Sequence, residues 1–204
     1  MGLEEKQKIL DESTKIFLQR GFYKTPMDEI ARKLKISKKT IYKYFDSKDT
    51  LVKEVVLNFL EQNKNNIRDI LSKNYDAVTK SFNLFQYLGK LLVSINNKWV
   101  RDIQEHYRYL WKDIDEFRTK LMLANISRLI EQGKSEGFIV DYPTNIIVTF
   151  FVSSIRGIIN PDFIVEQKLK AGTILNPTIN LLMNAILTDK GKEYFNKLQP
   201  GINK

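Results

Sequence analysis

The chain of 204 residues contains no cysteine and a single histidine, His106. Without cysteine there can be no disulfide, no thiolate metal ligand and no thiol nucleophile, and one histidine excludes a multi-histidine metal site. Nine glycines and five prolines leave little material for a glycine-rich phosphate loop or a turn-dense β fold. We therefore expect a protein without metal, cofactor or enzyme activity.

Long apolar runs are also missing. The most apolar stretch, residues 146–159, contains Arg156 and is shorter than the roughly 20 residues that a membrane span needs. The first six residues lack the apolar core of a signal sequence. Hydrophobic residues make up 43% of the chain and charged residues 28%, a balance typical of globular proteins. We expect a cytoplasmic protein with no membrane partner.

Positive charge is what the sequence has in excess. The formal net charge is +9, which indicates a polyanionic partner, either nucleic acid or an anionic membrane surface. Residues 32–48 hold seven basic side chains and one acidic side chain. Such a run on its own is commonly a solvated helix face. Its position relative to the predicted helices therefore decides how it is interpreted.

Apolar residues recur at helical spacing along nearly the whole chain, and strand-like alternation is scarce. This pattern predicts an all-α protein. Near the N-terminus, a helix is expected to start at Thr25 and Pro26, with Thr25 as its cap and Pro26 as its first residue. Ser37 should cap the next helix, which turns Ile41 and Phe45 inward.

The basic run coincides with two short predicted helices, residues 28–34 and 38–45, joined by a tight turn. This is helix-turn-helix geometry, in which the second helix enters the major groove of DNA. The outward positions of the second helix carry Lys38, Lys39, Thr40, Tyr42, Lys43 and Tyr44. Lysines neutralise phosphates, and hydroxyl groups reach phosphate oxygens or bases. Alternatively, Tyr42 and Tyr44 pack on neighbouring helices. Asp46 or Ser47 should cap a fourth helix.

The segment from Ile30 to Leu51 contains Thr-Ile-Tyr-Lys-Tyr-Phe followed by Ser-Lys-Asp. This segment resembles the DNA-binding signature of the TetR family of transcriptional regulators, over about the first quarter of the chain. The resemblance implies an all-helical homodimer with a DNA-binding domain at residues 1–50 and an effector-binding and dimerisation domain at residues 51–204. It also implies that Thr25 and Lys48 bind phosphates at helix N-termini.

Two positions depart from the family pattern. Lys35-Ile36 stands where the family usually has Gly-Val, so we expect Lys35 in a left-handed turn conformation that costs about 1 kcal/mol. Ser13-Thr14 replaces the usual pair of small apolar residues in the first helix. Neither departure affects the positions expected to face the groove.

The remaining chain predicts longer helices over residues 82–95, 99–110 and 117–130, a helix from Pro143 to about Ile159 closed by Pro161, and a last helix over 176–187. Family membership implies an effector pocket, for which the candidates are Phe82, Phe85, Trp99, His106, Tyr107, Trp111 and Phe117. The alternative is that these aromatic residues form plain core and that His106 is structural. The dimerisation candidates are Ile147, Phe150, Phe151, Ile155, Leu182 and Ile186.

The leading hypothesis is a repressor that binds a near-palindromic DNA operator as a homodimer and is released by an apolar or amphipathic small molecule. A second hypothesis is an architectural protein that binds DNA of any sequence. A helical enzyme is a third, but no nucleophile–base pair or phosphate loop supports it. A basic membrane-surface protein is a fourth, and the compact helix-turn-helix argues against it.

Overall fold

The computed structural model describes residues 2–95, 97–158, 163, 166–167 and 171–198. Its helices are α1 (Gly2–Arg20), α2 (Met27–Leu34), α3 (Lys38–Tyr42), α4 (Lys48–Leu71), α5 (Ala77–Ser94), α6 (Asn97–His106), α7 (Arg108–Ser135), α8 (Thr144–Ile158), α9 (Ala171–Ile186) and α10 (Asp189–Leu198). Extended pairing within these described ranges amounts to one isolated bridge between Ile139 and Leu187. The all-α prediction is confirmed. Over the same ranges, no helix combines the length and apolar character that crossing a bilayer requires.

The chain packs into two units. Unit 1 contains Met1–Asn65 and Ser94–Asp115, and unit 2 contains Asn66–Val93 and Glu116–Lys204. This division differs from the boundary predicted at residue 50. The reason is that the first half of α4 and the whole of α6 share one apolar core with α1, α2 and α3.

Aromatic side chains form the centre of unit 1. Phe17, Phe22 and Phe45 are fully buried, and the rings of Phe17 and Phe22 lie 4.9 Å apart between centroids. Trp99 of α6 lies on the other side of Phe22, at 5.2 Å. Ile41 is also fully buried, so the two inward anchors predicted for the third helix, Ile41 and Phe45, are confirmed. The short helix α3 is thereby fixed to a larger scaffold.

Unit 2 has a core of its own, built mainly from α8, α9 and α10. Ile147 and Phe151 of α8 pack with Leu182 and Ile186 of α9, and Phe195 of α10 joins them. Helix α8 carries buried residues at spacings of three and four, as expected for a helix with one covered side.

Some of the predicted helices differ from the structure. The helix predicted over 99–110 is broken at Tyr107, between α6 and α7, because the apolar spacing runs unchanged through the break and cannot reveal it. Helix α9 begins at Ala171 rather than Asn176 and includes Pro177. Helix α10 was not predicted. The proposed stop at Pro161 and the end at Ile159 lie outside the described residues.

The predicted helix caps have mixed outcomes. Ser37 Oγ accepts a hydrogen bond from Thr40 N at 3.0 Å, and Ser47 Oγ accepts one from Thr50 N at 3.0 Å, so both serine caps are confirmed. The Thr25 cap is wrong. Pro26 occupies the N-cap position, and the Thr25 hydroxyl donates backwards to the Gly21 carbonyl at 2.8 Å because that side chain is turned into the core.

Lys35 closes α2 in the left-handed conformation, with φ 56° and ψ 38°, as its place in the turn predicts. The following amide, Ile36 N, donates to the Ala31 carbonyl at 3.0 Å. Such a turn brings α3 close to α2, and glycine is the residue that adopts it without steric cost.

Replacing this lysine by glycine tests the strain. We expect Lys35→Gly to raise the free energy of unfolding by up to about 1 kcal/mol, because the Cβ contact in the left-handed region is removed. Both tryptophans, Trp99 and Trp111, lie in unit 1, so urea unfolding followed by tryptophan fluorescence reports on this unit. The control is Lys33→Gly inside α2, which should lower stability by about 1 kcal/mol. Equal losses in both variants would contradict the interpretation.

Candidate nucleic-acid interface

Exposed cations surround α3. The exposed basic side chains of α2, α3 and the turn that follows each of them are Arg32, Lys33, Lys35, Lys38, Lys39 and Lys43. Arg32, Lys33, Lys35 and Lys39 have no carboxylate within ion-pair distance over the part of the chain that the structure describes. The ammonium of Lys43 lies over the Tyr44 ring, 5.4 Å from its centroid. The basic side chains without an ion-pair partner are therefore available to phosphate oxygens.

The surface of α3 presents one aromatic side chain among these cations. Tyr42 is 40% exposed, whereas the neighbouring Ile41 is fully buried. Thr40 is half-buried, and its hydroxyl lies 2.8 Å from Ser37 Oγ at the start of the helix. Lys38, Lys39, Tyr42 and Lys43 are thus the exposed residues among those of α3 and its end that were predicted to face the groove.

Two residues of the predicted DNA set are turned away from solvent. Thr25 is 1% exposed, and its hydroxyl donates to the Gly21 carbonyl, so its contact with phosphate stays a prediction. Tyr44 is half-buried against the core of unit 1, and its hydroxyl donates to Glu5 Oε2 at 2.5 Å. That hydrogen bond raises the pKa of Tyr44 and ties the end of α3 to α1, so Tyr44 fits the alternative of packing on a neighbouring helix.

Lys48, at the first position of α4, is half-buried and donates from Nζ to the Tyr23 carbonyl at 2.9 Å. Burial lowers the pKa of Lys48, and the nearby carboxylates of Asp102 and Asp49 oppose that shift. Lys48 therefore joins the start of α4 to the loop between α1 and α2.

Tyr23, in that loop, is held at three points. Its amide donates to Asp102 Oδ2 at 2.8 Å, its carbonyl accepts from Lys48, and its ring stacks on His106 with centroids 4.0 Å apart. Gly21 lets Asp102 approach, since a Cβ there would lie 2.4 Å from Asp102 Oδ2 and the backbone φ is +83°. We call Tyr23, Asp102, His106 and Lys48 the Tyr23 clamp.

A second contact fixes the same helix ends. The hydroxyl of Tyr107, between α6 and α7, donates to Asp49 Oδ1 near the start of α4 at 3.0 Å. Burial and this hydrogen bond raise the pKa of Tyr107, so the phenol stays protonated as a donor. Sequence analysis missed Asp102 and Asp49, because no local pattern indicates a contact with a loop or helix far along the chain.

The predicted effector residues are divided between the units. Trp99, Tyr107 and Trp111 belong to the unit 1 core, and His106 stacks on Tyr23. Phe117 lies half-buried in the part of α7 that belongs to unit 2. Phe82 and Phe85 line a small cleft in unit 2 together with Gln86, Asn176, Ile179, Asn180 and Phe195. Of the seven predicted effector residues, the structure thus brings Phe82 and Phe85 together in one cleft.

The predicted dimerisation residues also fall into two groups. Ile147, Phe151, Leu182 and Ile186 are buried within their own unit, and Ile155 is half-buried. Phe150 is 46% exposed, and Leu181, which was not predicted, is 73% exposed. Each has uncharged exposed neighbours on its own helix: Ile146, Thr149 and Ser153 beside Phe150 on α8, and Pro177 and Ala185 beside Leu181 on α9. We call these seven exposed residues the α8–α9 face.

Comparison with known proteins identifies the helix-turn-helix. The model of the family described as bacterial regulatory proteins, tetR family, matches residues 9–55, which include α2, α3 and both serine caps. Residues 9–55 are thus a TetR-family DNA-binding segment. TetR-family proteins are transcriptional regulators, so this chain is a regulator and not an enzyme.

Two relatives in sequence agree with this assignment. The chain is 26% identical over 191 residues to the uncharacterized HTH-type transcriptional regulator YvaF of Bacillus subtilis (strain 168), covering 90% of this chain and 96% of YvaF. It is 26% identical over 96 residues to IcaR of Staphylococcus epidermidis, a negative transcriptional regulator of the biofilm operon icaADBC. That match covers 47% of this chain and 50% of IcaR.

Solved structures show the same fold. Reduced NemR of Escherichia coli has a TM-score of 0.69 at 14% identity, covering 91% of this chain and 97% of NemR. FadR of Bacillus subtilis, in complex with stearoyl-CoA, has a TM-score of 0.59 at 17% identity, covering 87% of this chain and 97% of FadR. The likeness in fold therefore extends well beyond the DNA-binding segment.

Removing the carboxylate of the Tyr23 clamp tests its role in unit 1. We expect Asp102→Ala to lower the free energy of unfolding by about 1–3 kcal/mol, because the Tyr23 amide loses a charged acceptor. Urea unfolding followed by tryptophan fluorescence is the measurement. Asp113→Ala, at an exposed position in the same unit, is the control and should change stability by about 0.5 kcal/mol or less. Equal free energies of unfolding in the two variants would show that Asp102 does not stabilise unit 1.

Proposed function

We propose that this TetR-family regulator is a repressor that binds a near-palindromic operator as a homodimer and is released by a small-molecule effector. The observation that carries the proposal is α3, a short helix fixed by Ile41 and Phe45 that presents Lys39, Tyr42 and Lys43 to solvent. A helix of this kind fits the major groove, where an exposed phenol can reach base edges. A transcriptional regulator must reach the chromosome, so we place the protein in the cytoplasm.

Phosphate binding and base reading are assigned to different side chains. Lys39, Lys43 and the cations at the end of α2, Arg32 and Lys33, contact the DNA backbone and position the protein irrespective of sequence. Tyr42 reads bases. The name of IcaR describes a negative regulator, which supports repression as the mode of action.

The homodimer forms through the α8–α9 face. Phe150 and Leu181 are large apolar side chains that are open to solvent in the single chain, and their neighbours on this face are uncharged. A second copy related by a two-fold axis would cover both patches at once. Two-fold symmetry also requires an operator with two inverted half-sites, one for each copy of α3.

The effector is an apolar or amphipathic molecule. The cleft beside Phe82 and Phe85 offers aromatic rings and the carboxamides of Gln86 and Asn176, with no charged side chain in its lining. The FadR structure, which contains stearoyl-CoA, supports a ligand with an apolar part. A coupling of about 1–3 kcal/mol between effector and operator, exerted through the spacing of the two α3 helices, suffices to weaken DNA binding several- to a hundredfold.

The first experiment distinguishes sequence-specific DNA binding from nonspecific electrostatic binding. The protein is titrated with a duplex of its own upstream region and with a scrambled duplex, across a range of salt concentrations. Tyr42→Ala should remove the preference for the upstream duplex. Lys39→Gln should weaken binding to both duplexes and reduce the slope of log binding constant against log salt concentration by about one. Tyr142→Ala, at an exposed tyrosine of unit 2, is the control and should bind as the wild type does.

Two results would contradict this division of roles. Equal losses on both duplexes in Tyr42→Ala and Lys39→Gln would argue against separate base and phosphate contacts. Equal and steeply salt-dependent binding of the wild type to every duplex, including a pool of random sequences, would favour the architectural DNA-binding protein instead.

The oligomeric state has its own test. We expect Leu181→Glu to convert the dimer to a monomer, because two like charges would be buried near the two-fold axis. Sedimentation velocity measures the state. Leu57→Glu makes the same substitution at an exposed leucine of α4 in unit 1 and should leave the dimer intact. A monomeric wild type, or an unaffected Leu181→Glu dimer, would exclude the α8–α9 face as the interface.

A further inference from the structure

One basic side chain of α3, the proposed recognition helix, is already paired with a carboxylate of the same chain. Lys38, the first residue of α3, lies with Nζ 3.0 Å from Asp28 Oδ2 in the first turn of α2. The hydrogen bond to Asp28 raises the pKa of Lys38. A carboxylate offers the ammonium group the same kind of anionic oxygen that a DNA phosphate offers.

The other acidic side chain at the start of α2 is engaged differently. Glu29 accepts from Arg20 of α1, and its side chain is 18% exposed. The Asp28 side chain, in contrast, is 71% exposed and turned to the recognition helix. Asp28 is therefore the α2 carboxylate positioned to act on α3.

We propose that Asp28 competes with DNA phosphate for Lys38 and so lowers the affinity of the protein for every duplex, whatever its sequence. This inference rests on the proposed function to the extent that α3 is the surface that binds DNA. Asp28 makes no base contact in this scheme. It sets the strength of the sequence-independent attraction.

The strength of the attraction between Asp28 and Lys38 depends on how far the pair is exposed to solvent. Lys38 is 46% exposed, so solvent and salt screen the attraction, and such pairs contribute little to folding. Exchange of the carboxylate for a phosphate is therefore possible without disturbing the fold. Binding of Lys38 to a phosphate nevertheless separates the pair, and the loss of this attraction opposes association.

The biological consequence concerns binding to random DNA. Non-specific affinity comes from phosphate neutralisation alone, and it competes with the operator for the protein. Weakening one phosphate contact shortens the time spent on random sequence, since affinity differences of related complexes lie mostly in dissociation rates. Base reading by Tyr42 is untouched.

The test uses the full chain and a fluorescent duplex of random sequence, with affinities measured from low to physiological salt. We expect Asp28→Asn to bind about two- to fivefold more tightly, with a salt slope steeper by up to about one unit. Glu61→Gln is the matched control. It changes the net charge equally and breaks the exposed Glu61–Lys64 pair far along α4, so its binding should equal that of the wild type.

A double-mutant cycle assigns the effect to Lys38. If Asp28 acts by occupying this lysine, Asp28→Asn should have little effect in a Lys38→Gln background. An equal gain in both backgrounds would show direct repulsion between Asp28 and phosphate and would overturn the proposal, as would an unchanged affinity in Asp28→Asn. Urea unfolding of each variant verifies that the fold is kept.

Failure of the proposed function has a different outcome. If the chain does not bind DNA at all, the wild type and all variants will fail to bind any duplex even at the lowest salt, which would overturn both proposals together. Binding by the wild type with no response to Asp28→Asn would overturn the competition alone.

Discussion

The recognition helix has five residues, too few to be stable by its own hydrogen bonds. Its position depends on the complete burial of Ile41 and Phe45 in the aromatic core of unit 1. Because that core also contains Phe22 and Trp99, the loop before α2 and the helix α6 are part of the same packed body. The DNA-binding surface is thus determined by apolar contacts on its opposite side.

The cations of this surface fall into three classes that sequence composition does not distinguish. Lys48 is fixed to a backbone carbonyl and acts within the fold, Lys38 is paired with a carboxylate, and residues such as Lys39 are open to solvent. A count of positive charges therefore overstates how many are ready for phosphate. The structural role of each depends on which acid or carbonyl the fold brings near it.

Local chemistry in the sequence was sufficient for the helix-turn-helix. Serine caps at Ser37 and Ser47 and the left-handed Lys35 depend on neighbours within a few residues, and all are confirmed. The Thr25 cap was wrong, and the hydrogen bond from Tyr44 to Glu5 was not predicted, since position on an isolated helix does not reveal a partner on another helix. Side-chain contacts that depend on tertiary packing cannot be predicted from the spacing of apolar residues.

The same reasoning explains the rest of the chain. Helix α8 is apolar on more than one side, so its sequence cannot say which side its own unit covers, and the exposed Leu181 on α9 was missed. Pairing of Asp102 with Tyr23 joins residues 79 positions apart, a distance over which no spacing rule operates.

The stacking of His106 on Tyr23 has a practical consequence. As the chain has one imidazole, its ring protons give an isolated pair of nuclear magnetic resonance signals that need no sequential assignment. Ring currents of a tyrosine about 4 Å away displace those signals while the stack is closed. The protein therefore carries an intrinsic spectroscopic reporter on the loop that precedes its helix-turn-helix, readable in the presence of DNA or of any candidate ligand.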